Sequence, residues 1–165
     1  MALTMYMSIT GTNQGYIKGG CTQAGDKNEK ILVYGYEQKS SIPINPHDGL
    51  PTGQRRHGSL CIETAKDVSS PKLFQALCSG EQLSEVTLDF YHITPIGKEK
   101  CYYKIALKRA IIVDIFAYTP LTFLGDNTPY MDMERIEFTF SEIVVTYTDG
   151  NIEAVDSWEG GSGSA

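Results

Sequence analysis

Asp67-Val-Ser-Ser-Pro-Lys-Leu-Phe-Gln-Ala-Leu-Cys-Ser-Gly-Glu81 is the one stretch of the chain with the marks of a helix. Ser70 offers a hydroxyl that can cap the first turn. Pro71 follows at a first-turn position where its missing N–H costs nothing. Leu73, Phe74, Leu77 and Cys78 recur at i, i+1, i+4 and i+5, which makes a single apolar stripe. Gly80 is placed to end the helix in a left-handed conformation. The expected element spans about 70–79 and is marginal on its own in water. It needs an apolar surface to lie on, and the stripe expects Leu73, Phe74 and Leu77 to supply the docking contact.

Outward from the helix, almost everything reads as strand. On its N-terminal side Leu60 and Ile62 mark a strand, preceded by a long loop, 45–58, rich in Pro and Gly. Loops of that length are usually functional or disordered. Ile31–Tyr36 forms another strand, while Pro43 limits Ser41–Ile44 to an edge piece because it cannot donate to a ladder. The chain opens on Leu3, Met5, Met7 and Ile9 alternating with polar residues, a half-buried strand, then a turn at Gly11–Gly15 and a short return at Tyr16–Lys18. On the C-terminal side Val86, Leu88 and Phe90 alternate, and a turn at Pro95–Lys98 leads to a long partner strand. There Cys101, Tyr103, Ile105 and Leu107, continued by Ile111, Val113 and Ile115, face one side, and Ile112 and Phe116 add apolar groups to the other. A strand apolar on both sides is covered on both sides, by the helix or by a neighbouring subunit. After a second loop, 119–132, the alternation slips phase between Phe140 and Ile143, and a β-bulge near Ser141–Glu142 accounts for it. Asp149-Gly150 is a tight-turn signal before a last strand at Ile152–Trp158. The fold expected is mainly β: a β-barrel of two packed antiparallel sheets with one flanking α-helix. Residues 1–158 make one domain, and 159–165 are a flexible Gly/Ser tail outside it.

Composition narrows the function classes. The 165 residues carry a formal charge of -6, and the 14 Lys and Arg are scattered rather than clustered. No basic patch suited to nucleic acid results. No run of about 18 apolar residues exists, so no membrane insertion is expected. The first residues lack the basic, apolar and cleavage regions of a signal peptide. Synthesis in the cytoplasm follows, with any export by a route that needs no cleaved signal. Cys21, Cys61, Cys78 and Cys101 form no C-x-x-C pair, which argues against structural zinc and for buried free thiols.

Chemistry is sparse. His47-Asp48 and His57 share one loop and could in principle serve a metal-dependent hydrolase, but no third ligand or nucleophile motif accompanies them, and solvated loop residues are the better reading. Gly11–Gly15 could cradle a phosphate, yet no helix follows it. Neither catalytic nor metal residues nor a cofactor are expected. The residues point to a scaffold or binding module, with a monomeric small-molecule-binding β-barrel as the alternative.

Four segments, in order, carry a family likeness: Gly11-Thr-Asn-Gln-Gly-Tyr-Ile-Lys-Gly19, Thr52-Gly-Gln-Arg-Arg-His57, Ser69-Ser-Pro-Lys-Leu-Phe-Gln-Ala-Leu-Cys-Ser-Gly-Glu81 and Asp156-Ser-Trp158. Together they resemble the haemolysin-coregulated protein (Hcp) family, the tube protein of bacterial type VI secretion systems. The resemblance implies a barrel akin to phage tail-tube proteins, with six subunits closing into a ring. It further implies stacked rings inside a contractile sheath, a spike at the tip, small effector proteins in the lumen, delivery into target cells and no catalysis. Gln14, Gly15, Pro71, Gly80 and Trp158 are the structural positions of those segments. The 45–58 loop is then expected to protrude onto an adjacent subunit or ring, with His47, Asp48, Gly53, Gln54, Arg55 and His57 in the contact.

Overall fold

The computed structural model describes residues 3–158; the 159–165 tail lies outside that range. Among the described residues, eleven strands and one α-helix follow one another as β1 (Thr4–Gly11), β2 (Gly15–Ile17), β3 (Ile31–Glu37), β4 (Ser40–Ser41), β5 (Arg56–His57), β6 (Leu60–Ala65), α1 (Ser70–Ser79), β7 (Gln82–Ile93), β8 (Glu99–Tyr118), β9 (Met133–Thr139), β10 (Glu142–Tyr147) and β11 (Ile152–Ser157). Every pairing is antiparallel. The order β8-β7-β1-β3-β6-β9 closes on itself, because β9 pairs with the second half of β8. That closure makes the barrel. The first half of β8 instead pairs with β10, which carries β11 beyond it. Strand β8 therefore carries both the barrel and the β10–β11 extension within one continuous sheet. Closure removes the barrel's own edges, but β11 is a terminal strand of its sheet with no partner on its far side among the described residues.

The interior is filled by Met7, Ile9, Leu60, Ile62, Leu107 and Phe138, none more than 1% exposed. The inward face switches at one level across neighbouring strands. Leu83 and then Val86 point inward on β7, Leu107 and then Ala110 on β8, and Phe140 and then Ile143 on the β9–β10 run. The register of Glu142 on Lys108 and of Thr139 on Ile111 keeps one continuous count. The expected bulge at Ser141–Glu142 is thus corrected: no residue is gained against β8 there, because β8 turns its face at the same height. It does so at Arg109, whose φ is 51°. As a result Ile111 and Val113, expected to be covered, point outward and are 39% and 47% exposed; a register shift between Ile112 and Asp114 then returns the odd positions inward at Ile115 and leaves Phe116 58% exposed.

The helix starts one residue earlier than its hydroxyl signal suggests. Ser69 occupies the cap position without a side-chain capping bond, and the Ser70 hydroxyl instead donates to Glu134 Oε2 at 2.9 Å. Asp67 orders this entry: its Oδ1 accepts from Ser69 N–H at 2.8 Å and its Oδ2 from Gly20 N–H at 2.9 Å. Gly80 ends the helix at φ 65°. Helix α1 packs on β8 through Leu73 and Ala76, both 1% exposed. Leu77 is half-buried against the same core. Phe74 is a correction: it is 60% exposed and does not dock the helix. Cys78 is also exposed, and of the four free thiols only Cys61 is buried.

Candidate functional site

The 45–58 loop is part of a built hairpin. Ser40 pairs with His57 and Ser41 with Arg56, and farther out Ile44 bridges Pro51. The tip is held by side-chain turns of the Asx kind: Asn45 Oδ1 accepts from His47 N–H at 3.0 Å and Asp48 Oδ1 from Leu50 N–H at 2.9 Å. Gly49 supplies the positive φ of 70° that this turn requires. His47, Asp48, Gly53 and Gln54 are exposed there, and Ile42, Ile44 and Leu50 are 51%, 64% and 63% exposed. The hairpin therefore presents apolar side chains to solvent well away from the barrel core.

Arg55 and His57 are engaged within the chain. Arg55 Nε and Nη2 donate to Asp156 Oδ2 and Oδ1 at 2.5 and 2.7 Å, a two-pronged match of guanidinium to carboxylate. Nη2 also reaches the Ser157 carbonyl at 2.8 Å. His57 Nε2 lies 2.5 Å from Asp156 Oδ2, and its Nδ1 lies 2.8 Å from the Ser40 hydroxyl on the opposite hairpin strand. The imidazole stands edge-on to Trp158, with centroids 5.5 Å apart. Hydrogen bonds from Arg55 first and His57 second hold the Asp156 carboxyl down to about 2. Both ring nitrogens of His57 are thereby engaged within the chain, which leaves neither facing a metal. The segments Thr52–His57 and Asp156–Trp158, separate in sequence, meet at this point.

The Gly11–Gly15 turn does cradle an anion, but the anion is the chain's own. Glu81 Oε1 accepts from Asn13 N–H at 2.8 Å and Gln14 N–H at 2.9 Å, and its Oε2 from Gln14 Nε2 at 2.9 Å. These bonds, the Gln14 backbone first, lower the Glu81 carboxyl. The Gln14 amide also donates to the Lys72 carbonyl at 3.0 Å. Gln14 thus ties the first hairpin to helix α1, and Gly15, at φ 70°, makes the turn possible.

A second polar cluster pins the 18–30 segment over the outer face of β1 and β7. Lys27 is buried, with its ammonium 4.6 Å from the Tyr91 ring centroid and 5.4 Å from that of Tyr6, and it pairs with Glu99. The Tyr91 hydroxyl donates to Asp26 at 2.6 Å, the Tyr6 hydroxyl to Gln23 at 2.8 Å, and Lys30 Nζ to the buried Asp89 at 2.7 Å. Burial first, then the bond to Asp26, pushes the Tyr91 phenol up. Nothing in the sequence pattern marked this cluster, because residues 23–28 are polar and loop-like by composition.

Beside it, the exposed face of β7, β8, β10 and β11 forms a shallow groove of about 420 Å³ whose lining includes Glu85, Lys104, Lys108, Glu142, Thr146 and Glu153. The groove is open, and the barrel interior is packed with apolar side chains.

The described residues thus form a closed antiparallel barrel with one docked helix, a terminal edge strand and an anchored hairpin. The family model described as type VI secretion system effector, Hcp, matches residues 6–147. The major exported protein of Pseudomonas aeruginosa is 35% identical over 96% of this chain and 96% of its own length. Among solved structures, the secreted protein Hcp3 of Pseudomonas aeruginosa superposes with a TM-score of 0.76 at 30% identity, covering 95% of this chain and 99% of that one. A variant of the Hcp1 protein from the E. coli EAEC 042 pathovar gives a TM-score of 0.83 at 27% identity over 95% and 99%. A further Hcp crystal structure reaches 0.89 at 22% identity over 95% and 98%, a likeness of fold. The chain belongs to the Hcp family of type VI secretion proteins.

Proposed function

We propose that the chain is the repeating unit of a type VI secretion tube. Copies close side by side into hexameric rings, rings stack end to end, and small effector proteins travel in the channel. A contractile sheath surrounds the stack and a spike caps it, so export follows from sheath contraction rather than from a cleaved signal, and the protein acts without catalysis. The observation that carries this reading is the open edge of β11. It presents an edge with no strand partner among the described residues, together with Ile152 and Val155, 67% and 55% exposed, and a strand in that state invites another strand. In a molecule whose other long strands are paired on both sides, an identical subunit is the partner that a closed ring provides.

Native mass from light scattering tests it. The expected value is six times the 18.2 kDa chain, with open rings in electron micrographs of the same peak. Exchanging both Ile152 and Val155 for lysine should yield a folded monomer, since edge lysines block strand addition. A wild-type protein that stays monomeric at millimolar concentration would overturn the proposal.

A further inference from the structure

We infer that Asp156 is a positioning residue: it fixes the angle at which the β4–β5 hairpin leaves the barrel and ties that angle to the open edge strand β11. Pairing at the edge of a subunit thereby sets its hairpin for the next contact. The inference rests on the self-assembly reading above and adds a coupling between its two interfaces.

The hairpin has little of its own to hold it. Its ladder is two residues on each side plus one bridge, and an isolated two-stranded hairpin is marginal at best in water. Its apolar residues point to solvent rather than into the barrel. Beside the packing of the His57 ring on Phe140 and Trp158, what ties it to β11 is one carboxylate. Asp156 Oδ1 receives Arg55 Nη2, and Oδ2 receives Arg55 Nε and His57. Through the Ser40 hydroxyl, His57 extends the hold to the second hairpin strand. A planar guanidinium bonded at two atoms to a carboxylate, and at a third point to the Ser157 carbonyl, has its orientation defined, which a lone ammonium would not have.

The other end of the latch lies on the free edge. Asp156 lies on β11 opposite Ile143 of β10, and four of the six β11 residues are exposed. A strand added to the free edge would change the twist and position of β11, and the carboxylate moves with it. Because Arg55 and Asp156 are each about one-third exposed, their pairing adds only modestly to global stability. Its main effect is geometric.

The test is a double-mutant cycle on assembly, read by sedimentation and light scattering across a concentration series. One variant is Asp156→Asn and the other removes residues 45–50, joining Ile44 to Pro51, which already bridge. Asp156→Asn is expected to leave the barrel's thermal unfolding near wild type, to abolish amide-exchange protection across 42–54, and to weaken assembly about tenfold. In the protein already lacking the tip, Asp156→Asn should then do nothing further to assembly. Arg55→Lys, which keeps the charge and loses the fork, should behave as Asp156→Asn does, and it serves as the readout should Asp156→Asn fail to fold. Additive losses in the cycle, or wild-type assembly by both latch variants, would overturn the coupling while leaving the assembly reading intact. A wild-type chain that never assembles would remove both.

Discussion

Asp156 shows how much one side chain can organise when its partners come from far along the chain. Its folded carboxyl titrates at about 2, below an unfolded value near 3.9. A lowered folded value means that the stabilising interaction is complete above about pH 4 and is lost as the pH falls through about 2. Carbon-detected NMR should therefore place the Asp156 midpoint near 2. In Arg55→Met it should return toward ~3.9, the ordinary range; an unchanged midpoint would mean that the guanidinium does not hold the carboxylate. None of this pairing is legible in the sequence. The motifs at 52–57 and 156–158 stand out as strings, but the bonds between them span 99 to 102 residues, and local periodicity carries no information about what a barrel brings together. Glu81 is a similar case. Gly11–Gly15 has the composition of an anion cradle, and only the structure shows that residue 81 fills it.

At the scale of elements, helix α1 was readable in its extent and its stop, because Pro71 and Gly80 act through backbone geometry that travels with the residue. Its buried face was readable only in part. Spacing puts Phe74 beside Leu73 on one stripe, yet the surface of β8 accepts Leu73 and Ala76, and Phe74 rotates into solvent. An amphipathic pattern gives the period; the partner chooses the centre of the arc. The cap shifted for a tertiary reason, since Glu134 claims the Ser70 hydroxyl. Leu73→Ala should therefore cost about 2–5 kcal/mol in urea unfolding, whereas Phe74→Ala should stay within about 0.5 kcal/mol. The reverse order would put the helix on the barrel by a different face. If Phe74→Ala alters assembly instead of stability, the exposed ring is a contact with a second copy.

Over the whole molecule, the architecture was legible as a class because alternation survives in every long strand. The corner was not. Its phase slip is visible at Phe140–Ile143, but a slip in one strand looks like a bulge until its neighbours are known to slip with it. The turn in β8 is made at Arg109, where a positive φ is uncommon for any residue but glycine. Arg109→Val should therefore be less stable than Arg109→Gly by about 1 kcal/mol. Both variants lose the guanidinium, so their difference isolates the backbone, and equal stabilities would show that the corner is not strained there. The coordinated corner lets one long strand carry both the barrel and the β10–β11 extension, and together with the register shift after Ile112 it leaves Ile111, Val113 and Phe116 facing outward on the far half.

The latch also orders events in time. During synthesis the β4–β5 segment leaves the ribosome long before Asp156, since 99 residues separate His57 from its carboxylate partner. At about 5–20 residues per second that gap lasts roughly 5–20 s. Throughout it the hairpin has no anchor, and β11, the free edge, does not yet exist. A nascent chain thus offers neighbouring nascent chains on the same message neither a fixed hairpin nor an edge to add to. On the tube reading proposed above, competence for assembly arrives only with β11, and chains that lack it stay out of growing rings.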